Sequence, residues 1–136
     1  MNKEFVTYKQ ALALKELGFD ESCFGCYQLS ELRDYKKGLE VSWIITLNTL
    51  NGYRIYDDET QTSAPLKQQV FRWFREKYDL YYRISGVKQS QYHYSIDYQY
   101  KDGKWGMMGG DITTYEEAEN ACIDKLIEIA KQQAIS

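Results

Sequence analysis

A single proline and a single histidine stand among 136 residues, and no apolar run approaches the length that spans a bilayer. Each shortage excludes something. One proline with nine glycines leaves little from which to build disordered linkers, and a chain of this length predicts one domain, residues 1–136, around one core. A lone histidine, His93, removes most general-base schemes that depend on imidazole. Three cysteines, an odd number in a chain large enough to fold without staples, argue against a secreted disulfide framework. The opening stretch, MNKEFVTYKQALALKELGF, is broken by charges every few residues and holds no signal-peptide core. A cytoplasmic protein with no membrane partner is expected. There is no basic excess either: the net charge of −3 disfavours nucleic acid as a partner, because the global field does not draw phosphate backbones.

What the chain has in quantity is tyrosine, thirteen residues whose rings are apolar in body and polar at the tip, suited to cores and to binding surfaces. The first element is well marked. Thr7 with Gln10 makes a capping-box pattern, Val6 can staple onto Ala11, and Gly18 supplies a left-handed stop, which predicts a helix over 8–17. Tyr8, Ala11, Leu14 and Leu17 form its inner stripe. Three β-type runs follow, 23–29, 39–47 and 53–56, and residues 57–63 read as a solvated connection. Ser63 as N-cap and Pro65 in the first turn predict a second helix over 64–78, with Leu66, Val70, Trp73, Phe74 and Tyr78 on one face.

Strands are then expected over 80–84, 91–100 and 104–108, with Lys101-Asp102-Gly103 as a hairpin turn. The middle strand alternates: Tyr92, Tyr94, Ile96, Tyr98 and Tyr100 one way, His93, Ser95, Asp97 and Gln99 the other. Thr113 with Glu116, and equally Thr114 with Glu117, are capping boxes for a last helix over 115–133, whose inner stripe is Ala118, Cys122, Leu126 and Ile129. The fold class is α+β, with three helices packed on antiparallel sheet in the order α-β-β-β-α-β-β-β-α and a C-terminal half αβββα.

The phrases VTYKQALALKELGFDESCFGCY, APLKQQVFRWFREKYDL and TYEEAENACIDKLIEIAKQQ resemble a family of short phage and mobile-element proteins from gut bacteria. That resemblance implies a setting, an accessory protein of a mobile element, and no reaction. Residues 64–133, a helix, a three-stranded meander and a helix with Gly106 and Gly109-Gly110 before the last helix, are similar in topology to the double-stranded-RNA-binding domain. The resemblance implies phosphate contacts from a basic start of the final helix. Here those positions read Tyr115-Glu116-Glu117-Ala118-Glu119, and three carboxylates repel phosphate.

The residues that could carry chemistry are few. Cys23-Phe24-Gly25-Cys26 has the spacing at which two thiolates meet one metal ion or form a redox pair, but it is half of a zinc site, and only Cys122 and His93 could complete it. The plainer reading has small apolar cysteines filling sheet positions. Asp57-Asp58-Glu59 lacks calcium-loop spacing, and Glu116, Glu117 and Glu119 suit a helix N-terminus on dipole grounds. Gly106–Gly110 lacks the lysine of a phosphate loop, and no nucleophile elbow frames Ser85, Ser90 or Ser95.

Neither an enzyme nor a cofactor nor a metal is expected. The expected function is a non-enzymatic protein-binding module of a mobile element, meeting a host or phage protein through an aromatic surface drawn from Trp43, Tyr81 and Trp105. The alternative is a weak nucleic-acid binder using Arg72, Arg75, Lys77 and Arg83. A third reading is a small-ligand pocket between the N-terminal strands and the second half, near Cys23, Cys26 and Trp43.

Overall fold

Residues 2–29, 37–46, 61–99 and 105–135 are described by the computed structural model. The expected strand at 53–56 and the expected turn at Lys101-Asp102-Gly103 lie outside them. The class is α+β, and the described residues hold three α-helices and two three-stranded antiparallel sheets. The chain divides into two compact units, Met1–Lys67 and Gln68–Ser136.

The first unit opens with a 3-10 turn, Asn2–Glu4, and helix α1, Tyr8–Glu16. The Thr7 hydroxyl accepts the Gln10 N–H at 3.1 Å while Gln10 Oε1 accepts the Thr7 N–H at 2.9 Å, so two orphan donors are satisfied reciprocally. At the other end Gly18 turns left-handed, φ 96°, and lets the Phe19 N–H reach the Leu14 carbonyl at 2.9 Å and the Gly18 N–H reach Lys15 at 3.1 Å. Leu14 and Phe19, brought together by that reversal, are both buried.

Strand β1, Cys23–Leu29, lies between β2, Lys37–Thr46, and β3, Gln61–Ala64. Residues 61–63, expected in a connection, are therefore strand. Ser63, expected as a helix cap, pairs with Cys26 in the ladder. The reason lies in Pro65: the residue before a proline is driven to extended backbone, which here continues a strand instead of opening a helix. The Pro65 carbonyl accepts the Val6 N–H at 3.1 Å, and Phe5 bridges Leu66. The N-terminal segment thus becomes a strap over the sheet. Its Phe5 ring lies where a Cβ on Gly25 would come within 3.0 Å, and the Tyr27 hydroxyl donates to the Val6 carbonyl at 2.6 Å.

Helix α2, Lys67–Tyr78, starts three residues later than expected and buries Val70, Phe71, Trp73 and Phe74. Fully burying each large apolar side chain is worth roughly 1.5–3 kcal/mol. The helix ends through Asp79, φ 60°, which brings the Leu80 N–H back to the Phe74 carbonyl at 3.2 Å. Leu80, expected in a strand, is instead a buried residue of this reversal.

Strands β4, Tyr81–Lys88, β5, Gln91–Gln99, and β6, Trp105–Ile112, form a meander in that order. The strands β4 and β6 run four residues further than expected. The first is carried to a tight turn at Gln89-Ser90, where Ser90 takes φ 65° and Val87 is an extra residue in the ladder. The second takes in Gly109 and Gly110, beyond its expected end at 108, which pair with Ser95 and Tyr94. Helix α3, Tyr115–Ile135, is capped by Thr114, whose hydroxyl accepts the Glu117 N–H at 3.1 Å. Its expected inner stripe, Ala118, Cys122, Leu126 and Ile129, is buried. Among the described residues no helix is long and apolar enough to cross a membrane.

Candidate interaction surface

The two faces of the β4-β5-β6 sheet differ. On one, helix α3 packs across the strands, Phe71 of α2 stacks on Tyr82 with centroids 3.7 Å apart, and Tyr92 meets Tyr115 edge-on at 5.9 Å. Ile96 is fully buried there. Burial also pushes the Tyr82 hydroxyl above its ordinary pKa, helped by the nearby Glu119 carboxylate. This is the packed side that the tyrosine alternation in β5 predicts.

The alternate residues point the other way. Tyr81 pairs with Asp97, Arg83 with Ser95 and Ser85 with His93, and Tyr81, Arg83, Ser85 and His93 are exposed. Tyr81 keeps 43% of its surface open. Between the rows runs a diagonal ion pair, Arg83 Nη2 to Asp97 Oδ2 at 3.0 Å, with the arginine side chain 58% exposed. One N–H of the guanidinium is thereby held while the rest of the fork meets solvent. A paired and partly anchored arginine beside an open tyrosine loses less conformational freedom on binding than two unanchored side chains.

The expected basic group does not form a single patch. Arg72, Arg75 and Lys77 are exposed on α2, and the Lys77 ammonium sits 5.4 Å over the Trp73 ring. Arg83 faces away from the helices, on the far side of the sheet. The expected aromatic group is also divided: Trp43 is in β2 of the first unit, whereas Trp105 opens β6 opposite Gln99, one pleat beyond the Tyr81-Asp97 row. The side chains of both tryptophans lie outside the described residues.

The cysteines serve the core. Cys23, Cys26 and Cys122 are buried thiols. Burial pushes the Cys23 thiol up to about 12, against a Ser63 hydrogen bond that lowers it, and burial followed by the Glu119 charge pushes Cys122 up to about 12. Thiols so raised are protonated at neutral pH and are poor nucleophiles. Among the described residues no group of three or more His, Cys, Asp or Glu side chains could hold a metal ion. His93, offered as a ligand by elimination, is instead exposed on β5.

The Arg83–Asp97 pair is the feature that residue-by-residue reading misses. The two are fourteen positions apart, and only the strand register makes them neighbours. No protein-family model, curated protein or solved structure matches the chain.

Proposed function

We propose that the second unit is a non-enzymatic binding module that engages a host or phage protein through the outer face of its sheet. The observation that supports this reading most is Tyr81 standing open beside the anchored Arg83. Tyrosine and arginine are the side chains that most often dominate protein interfaces, and here a paired sheet holds both at fixed spacing. The mobile-element setting rests on the resemblance of three sequence phrases alone.

A photo-crosslinking residue tests the reading. Tyr81→p-benzoylphenylalanine, compared with the same replacement at exposed Lys9 of α1, is expressed in the cells that carry the gene. The expected result is a protein adduct specific to position 81 that disappears with Arg83→Ala. Equal adducts at both positions, or none at 81, contradict it.

The nucleic-acid reading has one observation in its favour, three exposed cations on α2, Arg72, Arg75 and Lys77, within an αβββα unit. Its mark is an affinity that falls steeply with salt. Against it stands the start of α3, where Glu116 and Glu117 occupy the first turn.

A further inference from the structure

We infer that the occupant of the outer sheet face is a protein segment presenting a single carboxylate beside an apolar side chain, with the carboxylate taken by the open edge of the Arg83 guanidinium and the apolar group by the Tyr81 ring. This rests on the reading of that face as a protein-binding surface.

Charge complementarity chooses the chemistry. Among the described side chains of that face, Asp97 is the one carboxylate, and it is already turned onto Arg83 at 3.0 Å. What faces outward is a planar cation with donors to spare, adjacent to an aromatic ring that is 43% exposed. A guanidinium fork matches the two oxygens of a carboxylate, and Asp97 fixes its orientation from the opposite side. A phosphodiester chain asks for a train of cations, one for each phosphate neutralised. The described part of this face offers two separated cations, Arg83 between Tyr81 and Ser85 and Lys88 opposite Gln91 past the bulge at Val87, and not a train of them; Arg72, Arg75 and Lys77 of the unit's first helix belong to the other side of the sheet. One carboxylate fits the site and a phosphate backbone does not.

The test uses the full chain, isotopically labelled, titrated with a short peptide carrying one glutamate between two leucines, with its glutamine counterpart, and with an oligouridylate of similar length. The glutamate peptide is expected to shift the Tyr81, Arg83 and Ser95 amides and the Arg83 side-chain Nε–H. It should bind roughly tenfold more tightly than the glutamine peptide, the scale of a charge-assisted fork. Arg83→Gln should remove that preference, and Arg83→Lys should retain only part of it. Equal binding of the two peptides, indifference to Arg83→Gln, or saturation of the same signals by the oligouridylate overturns the inference. Failure of every peptide, with a position-81 adduct still lost in Arg83→Ala, overturns the carboxylate assignment and leaves the protein-binding reading standing. Failure of both experiments removes both.

Discussion

The two units build a three-stranded sheet in different ways. In the second, β4, β5 and β6 follow one another in sequence, so each strand pairs with its sequence neighbour. In the first, β1 lies in the middle and β3 returns to it from more than thirty residues away, with Ser63 set opposite Cys26. A meander is specified by alternation and turns that act locally. A returning strand needs long-range packing to choose its place, and the strap through Phe5 and Val6 supplies it by seating on Gly25 and Pro65.

The largest effect should come from the second unit's core. Phe74→Ala removes a ring with no exposure and should cost about 3–5 kcal/mol, measured as lost hydrogen-exchange protection of the β4–β6 amides. If β1–β3 amides lose as much, the contrast between the units is weaker than their topology implies. Alkaline pH should be the next strongest lever. The Cys23 and Cys122 thiols have folded pKa values raised from 9 to about 12, so folding stability is fully present below about pH 9 and falls as pH rises toward 12. Each thiol can contribute a slope of up to about 1.4 kcal/mol per pH unit in that window. Denaturant titrations at successive pH values should give a shallower decline for Cys122→Ala than for the parent chain.

The strap can be tested by overpacking. Gly25→Ala should cost about 1–3 kcal/mol, because the new methyl meets the Phe5 ring at 3.0 Å and the Ala64 carbonyl at 3.2 Å. In a Phe5→Ala background the penalty should shrink, and a double-mutant cycle that shows no coupling would remove the strap from the account. Tyr27→Phe deletes the hydroxyl that reaches the Val6 carbonyl and should cost about 1 kcal/mol by urea unfolding. The smallest effect belongs to the proposed binding face. Arg83→Gln breaks an exposed ion pair and should change stability by at most ~1 kcal/mol, which keeps it usable as a binding variant.

Much of the architecture was legible where a local signal acts alone. The Thr7-Gln10 box, the Gly18 stop, the β1 limits at Cys23 and Leu29 and the inner stripe of α3 needed only neighbours within a few residues. Reading failed where one signal served two outcomes. Ser63 and Pro65 suit a helix start as well as a strand end, and the Val6 N–H that decides between them comes from the far end of the unit. The Gln89-Ser90 turn carries no glycine, so β4 read as too short. Gly109 and Gly110 fell beyond the expected end of β6 because their partners, Ser95 and Tyr94, are visible only in register. The candidate site was half legible for the same reason: Tyr81 and Arg83 stood out as residue types, but the diagonal to Asp97 and the separation of Arg83 from Arg72, Arg75 and Lys77 are products of the pleat.

Chemical footprinting of the tyrosines in the free chain tests the central claim most directly, since the claim is that one face of the second sheet is open and the other is covered. With limiting tetranitromethane and peptide mapping, Tyr81 and Tyr115 should be nitrated first, and Tyr82, stacked on Phe71, and Tyr27, bonded to Val6, should react last. Protection of Tyr81 to the level of Tyr82 would contradict an open outer face and the binding surface proposed on it.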